Sequence, residues 1–353
     1  MLNKIKTWLK NQNINFTNIK PASTDASFRS YYRVYADDKT MIVMDSSLQK
    51  ESLVPFIDMT QRLSSVEVNV PYIYKQDIDN GFLLLEDLGS RDLLDSLNND
   101  NYETYYENAI DEIVKMQEAD TMGLPLYDAE FLRFEMELMQ EWYLEKYLSK
   151  SLDSQAKNII SDMIDQVIEI VLSQPQGVFV HRDFHSRNIM LADTDEVAVI
   201  DYQDARVGAI TYDLASLLRD CYIAFDPVEI EKLALTFRDK KGLDIDDATF
   251  IRWFDFMGLQ RHIKVLGIFA RLHLRDGKDA YLDDIPQTLK YVKEVSAKYE
   301  EMRPLLNLFE KLGVQNESND TGRRIRNTDA SFDRPYTETT FGDRGYSSDC
   351  LAY

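Results

Sequence analysis

The sequence predicts an α+β protein in which a small N-terminal β-rich lobe precedes a larger helical C-terminal lobe. Three observations carry this prediction. Strand-like segments rich in Tyr, Val, Ile and Phe concentrate in the first 90 residues. Segments of helical period fill most of 101–312. The chain of 353 residues, 44% of them apolar, exceeds what one core commonly supports, so two lobes are expected.

The elements follow in order. "MLNKIKTWLKNQNINF" reads as a short amphipathic helix. "YYRVYA" (31–36), "MIVMD" (41–45), "YIYKQ" (72–76) and "GFLLLE" (81–86) read as strands ending at Asp, Asn or Gly signals. Between the second and third, "LQKESLVPFIDMTQRLSS" has helical spacing, with Pro55 in or near its first turns. "LEDLGS" (85–90) connects the lobes, giving a division into 1–88 and 89–315. Helices are expected over 101–119, 130–150, 153–173, 211–223, 228–239, 247–275 and 287–312. Only "VFV", "IML" and "VAVI" interrupt them, and the last two can pair as a hairpin across "ADTDE". Residues 316–353, rich in Ser, Thr, Asn, Asp, Gly and Arg without apolar periodicity, read as a disordered tail.

Charge and cysteine usage exclude several classes. Lys and Arg total 40 against 61 Asp and Glu, and the formal charge of -21 opposes attraction to nucleic acid or anionic membranes. Cys221 and Cys350 make no disulfide framework. The N-terminus lacks the apolar run of a signal peptide, and no apolar stretch is long enough to span a bilayer. A cytoplasmic protein with no membrane, nucleic-acid or protein partner is expected.

The chemistry concentrates in "FVHRDFHSRNIML" (179–191) and "VAVIDYQDA" (197–205). Asp183 and Asn188 bracket a loop, and Asp201 follows an apolar run at a strand's C-terminal end. Phosphoryl transfer from ATP needs a carboxylate to orient a hydroxyl and accept its proton, and hard oxygens to hold Mg2+ on the phosphates. Asp183 suits the first role; Asn188 and Asp201 suit the second. The spacing matches H-R-D-x-x-x-x-N, with "DYQ" where kinases carry D-F-G. The alternative is three turn-capping residues. His181 and His185 have no third His or Cys nearby for a zinc set, so hydrogen bonding that stiffens the loop is expected of them.

These motifs, over about residues 1–312, resemble the aminoglycoside phosphotransferase branch of the protein-kinase-like superfamily. "TDASFRSYYRV", "VMDSS", "LLLEDLG", "HRDFHSRNIML", "VIDYQDA", "YDLASLLRDCY" and "QRHIKVLGIFARL" are most similar to bacterial anomeric kinases acting on N-acetylmuramate and N-acetylglucosamine in cell-wall recycling. The resemblance implies a bilobal protein-kinase-like fold and ATP in a cleft beside the "LEDLG" hinge, with Glu86 and Leu88 at the nucleotide. It also implies Asp183 as catalytic base, Mg2+ on Asn188 and Asp201, and Asp213 tying down the catalytic loop. A plain N-cap predicts nearly the same position for Asp213.

Two departures stand out. No Walker A or G-x-G-x-x-G sequence occurs, and the first glycine is Gly81. The small residues of "STDAS" (23–27), Ser27 among them, can instead bring backbone N–H groups to the phosphates, with Arg29 or Arg33 supplying charge. Both arginines equally suit solvated strand positions. "MIVMD" puts Met44 where kinases carry lysine, which leaves Arg29, Arg33 and Lys50 as candidate phosphate cations and Glu51 without an assured partner.

Only 12 residues separate Asp201 from Asp213, too few for the activation segment of a protein kinase, so a small hydroxyl-bearing substrate is expected. Arg261, Lys264, Arg271 and Arg275 share one helical face, with Lys278 beyond. This stripe can receive a carboxylate such as the lactyl group of N-acetylmuramate, or it is a solvated face paired with acids. Trp142, Tyr143, Trp253 and Phe254 can stack on a sugar or fill the core. The rival readings are an aminoglycoside- or choline-type kinase and a non-catalytic nucleotide-binding scaffold, the last favoured only by Met44.

Overall fold

The computed structural model describes residues 2–23, 29–36, 39–192 and 194–315. Ser27 and the tail 316–353 lie outside them. The N-terminal strands form one antiparallel sheet of β1 (Asn18–Ser23), β2 (Ser30–Tyr35), β3 (Thr40–Asp45), β4 (Ile73–Asp77) and β5 (Phe82–Glu86). Its order is β1-β2-β3-β5-β4. The helix α1 (Leu2–Asn11) lays Ile5, Trp8 and Leu9 on one face of the sheet, against Val34, Met41, Val43, Phe82 and Leu84. A single 3-10 turn, Lys50–Ser52, leads into α2 (Leu53–Ser65). Pro55 sits in the first turn of α2, where a missing N–H goes unused. Gly81 adopts φ +82, and a Cβ there would stand 2.7 Å from Ser47 Cα. Only glycine fits that turn.

Sequence reasoning did not anticipate β1. "NIKPAS" lacks a β-branched run and carries Pro21, which an edge strand tolerates because one row of its backbone groups stays unpaired. The remaining strands form two small ladders. β6 (Gln176–Val180) pairs with β9 (Arg206–Ala209), and β7 (Ile189–Leu191) pairs with β8 (Val197–Val199) as the expected hairpin.

Among the described residues two compact units result, one running to Asp92 together with Asn188–Asp204, the other comprising Leu93–Arg187 and residues 205–315. The hairpin therefore groups with the N-terminal sheet, whereas the sequence division at 88/89 put it with the helices. Its anchors explain why. Asn69 accepts from Val199 N at 2.8 Å and donates to Val197 O at 3.0 Å. The Tyr202 ring stacks on Phe56 at 5.3 Å, and its hydroxyl meets that of Thr60 at 2.8 Å.

The second unit is mostly helical: α3 (Leu93–Ser96), α4 (Tyr102–Met116), α5 (Ala129–Leu138), α6 (Ser154–Ser173), α7 (Tyr212–Leu218), α8 (Pro227–Lys240), α9 (Asp247–Asp276), α10 (Ile285–Lys298) and α11 (Arg303–Lys311). Aspartates begin four of them. Asp128, Asp153, Asp226 and Asp246 each accept from a backbone N–H of the following first turn. The expected helix over 130–150 is α-helical only to Leu138 and continues as a π-helical segment, Met139–Tyr147. There α9 packs tightly, since a Cβ on Gly267 would lie 2.4 Å from the Leu138 carbonyl carbon. The expected helix over 287–312 is two, because the chain leaves α10 at Tyr299 and restarts with Pro304 in the first turn of α11. Among the described residues no helix is long and apolar enough to cross a membrane.

Candidate active site

The strand β6 ends in a buried pair, Phe179 and Val180, and delivers the chain into His181–Arg187. Arg182 takes φ 80, a left-handed conformation that a side chain adopts only under constraint. The constraint is Asp213 in the first turn of α7, whose carboxylate accepts from His181 N at 2.8 Å and Arg182 N at 3.0 Å. The plain N-cap alternative does not apply, because the cap position of α7 is Thr211. Asp220 braces the far end of the loop, accepting from Ser186 N at 2.9 Å and Ser186 Oγ at 2.5 Å.

Within the loop His181 Nδ1 accepts from Asp183 N at 3.2 Å. His185 rests edge-on against Tyr222, and burial pushes its imidazole down to about 4, so it is neutral at pH 7. Burial alone would raise the Asp183 carboxyl. Lys264 first, then Arg182, outweigh it and hold the group below the usual carboxylate range.

Those cations belong to a buried charged layer built from α5, α9 and the loop itself. Glu135 lies 3.7 Å from Lys264 Nζ and 3.3 Å from Arg182 Nη2, and accepts from Gln260 at 3.1 Å and from the Tyr127 hydroxyl. Lys264 Nζ donates to the Tyr212 hydroxyl at 3.0 Å, and Arg261 Nη1 donates to the Arg182 carbonyl at 2.7 Å. The basic stripe is thus no solvated face at Arg261, Lys264 and Arg271, which are 8%, 1% and 6% exposed. Only its outer end is solvated, where Arg275 pairs with Asp276. Sequence reasoning missed Glu135 and Asp220. A usable signal for Glu135 was a carboxylate on the apolar face of α5, beside buried Leu132 and Met136.

In the hairpin, Asn188 Nδ2 donates to Asp201 Oδ2 at 3.3 Å, and Gln203 Nε2 donates to Asp201 Oδ1 at 2.9 Å. Asp201 takes φ 68, left-handed like Arg182 and like Asp195 at φ 62. An amide and a carboxylate side by side are hard oxygen donors of the kind Mg2+ accepts, usually one or two from protein with phosphates completing the shell.

The sheet residues divide. Arg33 is committed to the connector, with Nε 2.7 Å from Asp87 Oδ2 and Nη2 2.7 Å from the Gly89 carbonyl. Lys50 donates to the Asp79 carbonyl in the β4–β5 turn. Neither is a ready phosphate cation. Arg29 is buried at the head of β2. Glu86 accepts from Tyr72 N at 3.2 Å, and Leu88 is half-buried. Met44 is fully buried and paired between Tyr31 and Leu83, so its strand position is an apolar core site. Glu51 is exposed. Of the aromatics, Tyr143 and Phe254 are core, Trp142 lies under Lys146 at 3.5 Å, and Trp253 Nε1 donates to Ser173.

A five-stranded antiparallel sheet, a mostly helical remainder and an H-R-D-x-x-x-x-N loop leaving a buried strand define a protein-kinase-like fold. Solved structures of aminoglycoside phosphotransferase APH(2'')-Ib bound to ADP and of choline kinase LicA from Streptococcus pneumoniae share it. Their TM-scores are 0.58 and 0.57, each at 14% identity; the matches cover 82% and 84% of this chain and 97% and 99% of theirs. The chain belongs to the phosphotransferase enzyme family, which matches residues 18–244. It is 39% identical to the N-acetylmuramate/N-acetylglucosamine kinase of Neisseria meningitidis over 85% of this chain and 92% of that one. Identity to the kinase of the same name from Pseudomonas aeruginosa is 38%, over 83% and 88%. The α+β expectation and the family resemblance both hold, and the protein is a phosphotransferase acting on a hydroxyl group.

Proposed function

We propose that this enzyme phosphorylates the anomeric C1 hydroxyl of N-acetylmuramate or N-acetylglucosamine, using ATP and Mg2+ in the cytoplasm. The similarity to kinases of that name over most of both chains carries the reading. In it, the Asp183 carboxylate accepts the C1 hydroxyl proton as that oxygen bonds to the γ-phosphorus. The bond to the β-phosphate oxygen breaks and ADP leaves. Mg2+, when bound, neutralises charge on the phosphates, and Asn188 and Asp201 are the residues that would hold it. His181, His185 and Asp213 support the loop, so that Asp183 meets its substrate already oriented.

For the nucleotide we assign Glu86 and Leu88 of the connector, Ser27 of the loop before β2, and Arg29 as the phosphate cation. Arg33 is assigned to the connector instead, because its fork is already taken by Asp87 and Gly89. In this scheme residues 1–88 cover the nucleotide and 89–315 supply the loop and substrate groups. Of the basic stripe, Arg271 remains the candidate for the lactyl carboxylate.

The test incubates the protein with MgATP and each sugar and follows phosphorus and proton NMR. The expected product carries a phosphate coupled to the anomeric proton, and Asp183→Asn lowers its rate by about 10²–10⁴-fold. Phosphate appearing at another hydroxyl, or only on an aminoglycoside, would refute the assignment.

A further inference from the structure

The charged layer on α5 and α9 is too deeply buried and too fully committed to serve as a surface receptor. Arg261 Nη1 reaches the carbonyl of the peptide bond that joins Arg182 to Asp183, at 2.7 Å. One turn along α9, Lys264 is held between Glu135 and the Tyr212 hydroxyl. Glu135 also pairs with Arg182, so one carboxylate restrains both Lys264 of α9 and Arg182 of the loop. Tyr127 and Tyr212 complete the layer through a hydroxyl pair at 3.0 Å. A substrate carboxylate would have to displace Glu135 or a backbone carbonyl, leaving either without its partner in a buried site.

We infer that Glu135, Lys264 and Arg261 form a positioning layer for Asp183, fixing its backbone and setting cationic charge behind the loop, and that this layer receives no substrate carboxylate. The inference rests on Asp183 being the base. The charged and titratable groups that act most strongly on Asp183 include Arg182 and His185 from its own loop and Lys264 and Arg261 from α9. His185 is neutral at pH 7, so the cations act. Removing Lys264 raises the pH at which Asp183 gives up its proton, and the acid limb of the rate profile follows it upward. At neutral pH the loss is smaller than under acid conditions.

The experiment compares pH profiles of kcat/KM for both sugars in the full-length enzyme. Lys264→Met is expected to move the acid limb up by about one pH unit, and Lys264→Arg to restore it. The preference between N-acetylmuramate and N-acetylglucosamine stays unchanged. Because Lys264→Met strands Glu135, the charge-balanced pair Glu135→Gln with Lys264→Met is measured alongside; losing the Glu135 charge opposes losing the Lys264 charge, so the pair moves the limb upward by less than Lys264→Met alone. An unmoved limb in folded Lys264→Met overturns the proposal, as does a pair whose limb rises further than that of Lys264→Met alone. So does a rise in KM confined to N-acetylmuramate, which would make Lys264 a carboxylate receptor. Asp183→Asn separates the two readings: if it retains turnover, the base assignment fails by itself.

Discussion

The loop His181–Arg187 and the hairpin Asn188–Asp204 follow one another without a break, yet they are held by opposite means. The loop hangs on carboxylates: Asp213 takes two of its N–H groups, Asp220 takes a third, and Glu135 takes Arg182. The buried anchors of the hairpin are neutral, namely the apolar strands β7 and β8, the Tyr202 ring on Phe56, a hydroxyl pair, and the backbone and amide of Asn69, while its ion pair, Arg91 with Asp195, lies exposed. Charge-assisted bonds in a buried site fix direction strictly and fail abruptly when one partner goes. Neutral packing is cheaper to disturb. The part assigned to proton transfer has the stiffer mount.

Three substitutions probe that contrast. The largest loss is expected from Asp213→Asn, which keeps one oxygen acceptor but sets an amide N–H against the other backbone donor. Denaturant unfolding should lose about 3 kcal/mol, with turnover falling alongside. A loss well under 1 kcal/mol would mean the loop does not depend on that carboxylate. Next comes Gly267→Ala. Its methyl would meet the Leu138 backbone, push α9 away from α5, and part Lys264 from Glu135. About 2 kcal/mol of stability should go, read as a lower Tm, since backbone cannot step aside as a side chain can. The smallest effect is expected on the hairpin side. Thr60→Val removes one hydroxyl from Tyr202 and should cost about 1 kcal/mol by the same unfolding assay. Should Thr60→Val prove as costly as Asp213→Asn, the contrast collapses.

Legibility in the sequence follows the same division. Features written in local order were readable: the four strands with aromatic or β-branched runs, the hairpin across "ADTDE", and the spacing of Asp183, Asn188 and Asp201. Features that depend on distant partners were not. Glu135 meets Arg182 across 47 residues and Asp220 meets Ser186 across 34, and no short-range pattern announces either. The stripe on α9 was visible as periodicity. Its burial was not, because the helix is enclosed by α5, α6, α7 and α10 and its polar face had to find partners inside. The π-helical segment was invisible for a related reason: it occurs where Gly267 admits close approach of another helix.

The two outer strands of the N-terminal sheet carry one more consequence. β1 has Pro21 and exposed Lys20 with a register shift after Pro21, and β4 has a shift after Ile73 followed by exposed Lys75 and Gln76. Each margin is irregular and hydrophilic, so neither offers a straight row of backbone groups to an incoming chain. The sheet is thereby guarded against growing by strand addition, and its hydrophobic β5 stays interior, between β3 and β4, where a stray peptide finds no template to copy.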